Sequence, residues 1–278
     1  MTISPTLRPD CGNCFALCST ALGFARSVDF AIDKPAATPC PNMAEDFSCA
    51  IHQSLRPRGF RGCTDFDCFG AGQVVSQHTF EGTSWTQDPS TKSSMFAVFK
   101  VVRQLHEMLW YLVEAQQRTF DPDLAVAAGH LSDHIAATAQ GDASAILGAD
   151  VETLHSEVRH LLMEVSEELR ASYGAEDQQT PDGGPRDGEL SGADLMGADL
   201  ANRRLCGVDL RGAYLIGARL RGSDLTAADL LGADLRGAQL HGADLSRALY
   251  LTNSQVNSAE GDPNTLLPPR IARPSHWT

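Results

Sequence analysis

The chain has 278 residues, 42% of them hydrophobic, and a formal net charge of −13. Its length predicts two or three domains, and its acidity excludes a protein that binds the nucleic-acid backbone directly. No apolar run is long enough to span a bilayer, and the first ten residues lack the order of a signal peptide. We therefore expect a cytoplasmic protein that contacts no membrane.

Cysteines are concentrated near the amino terminus, where seven of the eight lie within the first 68 residues. They are Cys11, Cys14, Cys18, Cys40, Cys49, Cys63 and Cys68. In a cytoplasmic protein such clustering favours a metal over disulfides, and Cys11-Gly12-Asn13-Cys14 has the C-x2-C spacing that aims two thiolates at one ion. We predict that residues 1–92 form a metal-binding module in which these seven thiols and His52 hold zinc or iron, the iron alone or in an iron–sulfur cluster. Buried free cysteines and labile disulfides are the alternatives.

The order of these motifs resembles the zinc- or iron-chelating cysteine-cluster family. The matching segments are the first three cysteines, Cys40-Pro41-Asn42-Met43, Cys49-Ala50-Ile51-His52, Arg56-Pro57, and the pair Cys63 and Cys68. The sequence departs from the family pattern at Cys18, which stands alone where the family has two adjacent cysteines. The resemblance implies a metal chelated by cysteines, and it implies no reaction.

Residues 93–173 are predicted to form a helical domain. Apolar side chains recur every three or four positions from about Ser93, from Pro122 to Gly141 and from Asp150 to Tyr173, which is the period of a helix. In the first of these helices the apolar stripe covers most sides, and such a helix is buried by more than one neighbour. The pattern therefore predicts three helices and, because of the wide stripe, a homodimer formed through this domain.

A repeat follows a polar linker that is predicted to be flexible over residues 174–188. A leucine falls at every fifth position from Leu190 to Leu245, with a small residue two positions before most of them and glycine two positions after. A period of five fits neither the 3.6 residues of a helix nor the two residues of a strand. It predicts a coil over residues 189–250 that turns a corner every five residues and stacks its four-sided turns about 4.8 Å apart.

This repeat, with motifs such as Ala193-Asp194-Leu195 and Ala233-Asp234-Leu235, resembles the pentapeptide-repeat family. The resemblance implies a right-handed quadrilateral β-helix, here of about three turns. The predicted fold is thus multi-domain α+β, with a small Cys-rich metal module, a central helical segment and a carboxyl-terminal β-helix. Arg203 and Arg204 break the pattern and predict either a distorted corner or the start of the regular coil just after them, and Cys206 is expected to point outward.

The last segment, residues 251–278, is predicted to be a cap and a tail. Thr252-x-x-Gln255 has the spacing of a capping box, so a short helix should cover the open end of the coil. Trp277 is expected to bring the tail back onto the body.

The sequence contains no nucleophile–base pair, phosphate loop or nucleotide fingerprint. It therefore predicts a non-catalytic metal-binding protein whose repeat rod serves as a scaffold for an unknown protein partner. One alternative is a redox enzyme that uses iron or an iron–sulfur cluster. Another is a DNA mimic that modulates type II topoisomerase, as in the quinolone-resistance branch of the repeat family. Mimicry needs a strongly negative rod, whereas residues 189–250 carry 8 acidic and 7 basic side chains.

Overall fold

A computed structural model describes residues 7–173 and 190–277, and the linker predicted at 174–188 lies outside the described residues. The chain divides into two compact units. The first comprises Met1–Gln117 and Asp121–Leu162, and the second comprises Arg118–Phe120 and Met163–Thr278. Within the described residues, none of the helices combines the length and the apolar character that a bilayer crossing requires.

The Cys-rich part of the first unit consists of short helices and turns. Its α-helices are α1 (Leu17–Ala21), α2 (Arg61–Asp65) and α3 (Ala71–Val74), the last continued by a π-helical turn over Val75–Thr79. Single 3-10 turns lie at Cys11–Asn13, His52–Ser54 and Pro89–Thr91.

A small apolar core supports this part of the chain. Ile51, Leu55 and Phe60 are buried together. The partly buried side chains that pack on them are Phe24, Phe30 and Ile32. The rings of Phe24 and Phe30 are stacked with centroids 4.2 Å apart. Further apolar side chains of this part of the chain, among them Leu17, Phe69 and Val75, are also buried.

The central segment is helical, as the periodicity predicts. Its helices are α4 (Lys92–Arg118), α5 (Pro122–Ala139), α6 (Ala143–Leu147) and α7 (Val151–Ala171). The sequence did not predict the single short turn of α6, which is capped by Asp142. The wide apolar stripe of α4 is buried within one chain, from Met95 to Ala115.

The repeat region forms a four-sided coil. Parallel bridges join residues 20 positions apart, as between Asp194 and Tyr214 or between Arg219 and Gln239, so four five-residue sides make one turn. Backbone N–H and C=O groups pair between successive turns, for example Leu215 with Asp234 at 2.9 Å. The leucines at positions 210, 215, 220, 225, 240 and 245 are fully buried inside the coil. Most corner glycines have a positive φ, such as 62° at Gly212, because the chain turns there in the left-handed conformation.

Two details of the coil differ from expectation. The corner before Arg203 and Arg204 is regular, because Asn202 adopts the left-handed φ of 55° in place of a glycine. Cys206 is buried instead of pointing into solvent. The carboxyl-terminal end of α7 covers this stretch, where Arg170 Nε donates to the Gly207 carbonyl at 2.9 Å.

The coil is closed at its carboxyl-terminal end by α8 (Asn253–Ser258), and the predicted capping box between Thr252 and Gln255 is present. Gln255 Nε2 also donates to the carbonyls of Leu230 at 2.7 Å and Ala233 at 3.0 Å. The tail returns to the coil, and the buried Trp277 donates to the Ala259 carbonyl at 3.2 Å.

Candidate metal centre

Four of the predicted ligands lie on two segments that pack together. Cys11 and Cys14 share one turn, closed by a bond of 3.4 Å from the Cys14 N–H to the Cys11 carbonyl. Cys18 follows on α1, and Cys68 lies just before the turn into α3. The close approach of the segments is tightest at Gly72, where a Cβ would lie 2.6 Å from Cys14 Sγ. Glycine at this position therefore makes room for a thiol.

Side-chain and backbone hydrogen bonds fix the contact between these two segments. Gln73 accepts from the Asp10 N–H at 3.1 Å and donates to the Arg8 carbonyl at 2.8 Å. The Ser76 hydroxyl accepts from the Phe15 N–H at 3.0 Å. The position of Cys68 relative to the first turn is thus set by polar contacts on both sides of the thiols.

The thiols of this group are electrostatic neighbours. Burial raises the pKa of Cys14 to about 11, and the nearby thiols of Cys68 and Cys11 add to this increase. Burial also raises the pKa of Cys18, with further increases from the other three thiols of the group and a smaller one from Cys63. A negative charge on one of these sulfurs therefore makes ionisation of the others less favourable.

Backbone N–H groups point at two of these sulfurs and favour their ionised form. Burial raises the pKa of Cys68, but the nearby backbone N–H groups of Gly72 and Gly70 oppose the increase. The Leu17 N–H does the same for Cys14. Such donors stabilise a thiolate and do little for a neutral thiol.

The other predicted ligands lie around a hairpin. Cys40 and Cys49 come together because Met43 pairs with Cys49 across an antiparallel bridge, and the Met43 N–H donates to the Cys40 carbonyl at 3.0 Å. His52 ends a turn that starts at Cys49, with 3.1 Å between its N–H and the Cys49 carbonyl. Cys63 lies on α2, and burial raises its pKa to about 11, with further increases from Cys40 and Cys49.

Lys34 is a charged residue of this site that the sequence analysis missed. Its side chain is only 3% exposed. The ammonium donates to the carbonyls of Leu22, Thr38, Pro35 and Thr20, at 2.9 Å for Thr38 and 3.2 Å for Pro35. Burial lowers the pKa of Lys34, and the thiols of Cys40, Cys18 and Cys63 oppose that change. No sequence motif marks this lysine, because its partners are backbone carbonyls gathered by the path of the chain.

The predicted ligands are free and largely accessible. All seven cysteines are unpaired thiols, of which Cys11, Cys18, Cys49 and Cys63 are exposed and the other three are partly exposed. His52 is exposed as well. Cys18 keeps accessible surface, although burial raises its pKa. Across residues 7–173 and 190–277, no three His, Cys, Asp or Glu side chains already surround a common point as metal ligands.

A second charged site lies in the second unit, where α7 meets the coil. The Ser166 hydroxyl donates to the fully buried Asp229 at 2.6 Å, and burial raises the pKa of Asp229 to about 6. Burial also favours a higher pKa for Asp209. Arg211, however, donates to both carboxylate oxygens of Asp209, and the pKa of Asp209 is therefore below its usual value. Arg170 lies 3.5 Å from Asp209. The sequence could not predict this network because its parts are about 40 to 60 residues apart.

Comparison with known proteins identifies the repeat and one relative along almost the whole chain. Residues 193–230 and 213–249 match the family described as Pentapeptide repeats, with eight copies. "Uncharacterized protein YybG" of Bacillus subtilis (strain 168) is 49% identical over 271 residues, which are 98% of this chain and 95% of YybG. Neither comparison supports the resemblance to the cysteine-cluster family.

Solved structures with local similarity carry the same repeat. The pentapeptide repeat protein Rfr23 of the cyanobacterium Cyanothece 51142 is 34% identical over 27% of this chain and 53% of its own, with a TM-score of 0.22. The pentapeptide repeat protein alr5209 of Nostoc Pcc 7120 is 32% identical over 30% of this chain and 76% of its own, with a TM-score of 0.21. By its repeat and by its identity to YybG, the chain belongs to the pentapeptide-repeat proteins, in one family with YybG.

Proposed function

We propose that this chain is a non-catalytic metal-binding protein. Its amino-terminal thiols hold zinc or iron, with His52 as a further ligand, and its coil is a scaffold for a protein partner. The observation that supports the proposal is that the thiols of Cys14, Cys18 and Cys68 are near neighbours, while all seven amino-terminal thiols are at least partly accessible. Thiolate ligands suit zinc and iron–sulfur centres.

The exposure of the thiols speaks against the simplest alternative. Free cysteines without a chemical role are among the most buried of all residue types and behave as small apolar side chains. Here four of the seven are exposed and the others are partly so. The backbone N–H groups near Cys14 and Cys68 also favour the ionised sulfur, which is the form that binds a metal.

The charge pairs of the coil argue against a DNA mimic. Arg219 lies 2.6 Å from Asp199, and Arg236 lies 2.6 Å from Asp234. Arg211 likewise neutralises Asp209. A surface on which arginines neutralise several aspartates lacks the continuous negative potential that imitates a phosphate backbone. We therefore expect no inhibition of gyrase supercoiling at sub-micromolar protein, and inhibition would revive this alternative.

The test of the metal proposal is elemental analysis with an absorption spectrum on protein purified without oxygen. We expect zinc or iron at a fixed ratio to protein, reduced in the double variant Cys14→Ser/Cys68→Ser. The control Cys206→Ala removes a thiol of the coil and should keep the full metal content. Protein without bound metal would overturn the proposal, whereas iron with stoichiometric sulfide would favour the redox-enzyme alternative.

The partners stay predictions. A homodimer through the helical segment was predicted from the wide stripe of α4, but those side chains are buried within a single chain. On the coil, the exposed side chains of Met196 and Tyr214 lie on adjacent turns and offer apolar surface to a partner. Light scattering at micromolar concentration distinguishes a monomer from a dimer. A cytoplasmic location is likewise proposed from the free thiols alone.

A further inference from the structure

The loop that carries Cys68 has a backbone conformation that its sequence disfavours. Phe69 adopts a positive φ of 49° and is followed by Gly70 at 78°. A bulky side chain is strained in this left-handed region, and such a conformation persists only where surrounding contacts enforce it. Phe69 is also almost fully buried, with 1% of its surface exposed. The contacts that hold this loop therefore decide where Cys68 lies.

Two side chains of α4 hold the loop by its backbone. His106 Nδ1 lies 2.8 Å from the Phe69 carbonyl in a buried contact. Because a carbonyl only accepts hydrogen bonds, this nitrogen carries the proton and donates. About one helical turn earlier, Arg103 Nε donates to the Asp67 carbonyl at 3.3 Å. The two donors thus bind the carbonyls of the residues on either side of Cys68 in the chain.

Aromatic contacts of α4 hold the side chains of the same loop. The Arg103 guanidinium lies over the Phe66 and Phe69 rings, 5.4 Å and 6.0 Å from their centroids. The Trp110 ring packs on Phe69, with 5.8 Å between the two centroids. A guanidinium over aromatic rings is an attractive contact. Phe69 is therefore held at its carbonyl and at its ring by one helix.

We propose that α4 belongs to the thiol site and keeps Cys68 beside Cys14, whose thiols are near neighbours. Its positioning residues are His106 and Arg103. The loop leads directly into α3, where Gly72 leaves room for the Cys14 sulfur. A relaxed backbone in the loop would redirect α3 and separate the two thiols. This inference rests on the proposed function, to which it adds residues outside the ligand set that position one of the ligands.

Alkylation of the full chain, purified without oxygen, tests whether α4 holds Cys68. Mass spectrometry of the digested protein gives the rate at which iodoacetamide labels each amino-terminal thiol. In His106→Ala the rate at Cys68 should rise about tenfold, the scale of one lost buried hydrogen bond, and by more than at any other thiol. A histidine that merely stabilises the fold would change all seven rates alike. An unchanged rate at Cys68, or the same rise at all seven thiols, would overturn the proposal.

Two further variants separate the hydrogen bond of His106 from its packing. His106→Asn keeps an N–H group that can donate to the Phe69 carbonyl, so it should restore the parent rate at Cys68. His106→Leu keeps the bulk without a donor and should react as His106→Ala does. Lys100→Met, on the exposed face of the same helix, is the control and should leave the rate unchanged. Equal rates in His106→Asn and His106→Leu would contradict the role of the hydrogen bond.

Metal release to a chelator connects α4 to the proposed function. His106→Leu should release its metal about tenfold faster than the parent chain, which is the scale of effect of residues that orient ligands from outside the ligand shell. His106→Asn and Lys100→Met should release it at the parent rate. Equal release from His106→Leu and the parent would contradict this inference. A parent chain that holds no metal would instead contradict the proposed function, and the alkylation rates would still decide whether α4 positions Cys68.

Discussion

Backbone conformation at single residues decides the shape of the coil. Glycine occupies most corners because they need a positive φ, which is 62° at Gly212 and 65° at Gly217. Asn202 and Ala227 adopt the same conformation without being glycine, with φ of 55° at both. Asparagine tolerates this region better than other residues with a side chain. The regular corner at Asn202 could therefore have been predicted from the sequence, although the arginines that follow it predicted a distortion.

Gly212→Ala should destabilise the second unit by about 1 kcal/mol, because alanine is strained at positive φ. No heavy atom outside its chain neighbours lies within 4 Å of the Cβ that would be added, so crowding does not contribute. Gly212→Asn should cost about half as much. The measurement is the urea midpoint of unfolding for the three proteins. Equal stability of the alanine variant and the parent would contradict the strain argument.

The buried carboxyl of Asp229 predicts a stability that depends on pH. Its pKa in the fold, about 6, lies above its usual value, so the folded chain binds this proton more tightly than the unfolded chain. The stabilisation is therefore complete below about pH 4 and is lost as the pH rises through about 6. Asp229→Asn should thus stabilise the second unit by about 1–2 kcal/mol at pH 8 and hardly at pH 4.

Asp224→Asn is the matched control for Asp229, at the same position of the preceding repeat. Burial favours the neutral form of Asp224, but hydrogen bonds from Thr226 outweigh it and lower the pKa. This variant should therefore lose stability at pH 8. Urea unfolding at the two pH values measures both changes, and a loss of stability in Asp229→Asn at pH 8 would contradict the assignment.

Among the elements, those with a long repeating pattern were predicted best. The fivefold leucines predicted the coil, and the apolar stripes predicted α4, α5 and α7 to within a few residues. The short helix α6 was missed because one turn of helix has no period to detect. The burial of Cys206, Asp209 and Asp229 was also missed. That burial depends on α7 covering one side of the coil, and no local pattern encodes such a contact.

The cap α8 should be sensitive to the chemistry of Gln255. Gln255→Glu keeps the oxygen that accepts from the Thr252 N–H at 2.9 Å. It loses the N–H groups that donate to the Leu230 and Ala233 carbonyls and sets a carboxylate against them. We expect a loss of about 1–3 kcal/mol in unfolding free energy. The same substitution at the exposed Gln104, in the middle of α4, should be nearly neutral, and equal effects at both positions would contradict the role of Gln255.

At the scale of the whole molecule, the sequence predicted a metal site formed by the amino-terminal thiols, which stays a prediction, and it could not predict how these thiols are arranged. The spacing of Cys11 and Cys14 encodes a local turn, whereas the approach of Cys68 to that turn depends on α3 and Gly72. Lys34 was missed for the same reason, since its buried position follows from the path of the chain. The two regions differ in how their cores are built. The coil has a continuous leucine core, whereas the thiol-rich region buries separate apolar side chains such as Leu17, Phe60 and Phe69.

Hydrogen exchange with and without a chelator, on the full chain purified without oxygen, tests the central claim most directly. We expect the proposed metal to keep the thiol-rich region folded, because its ligands come from segments that are distant in sequence. Removal of the metal should therefore increase amide exchange in peptides from residues 11–68 and leave peptides from residues 205–251 unchanged. Identical exchange of residues 11–68 before and after treatment with the chelator would contradict the account.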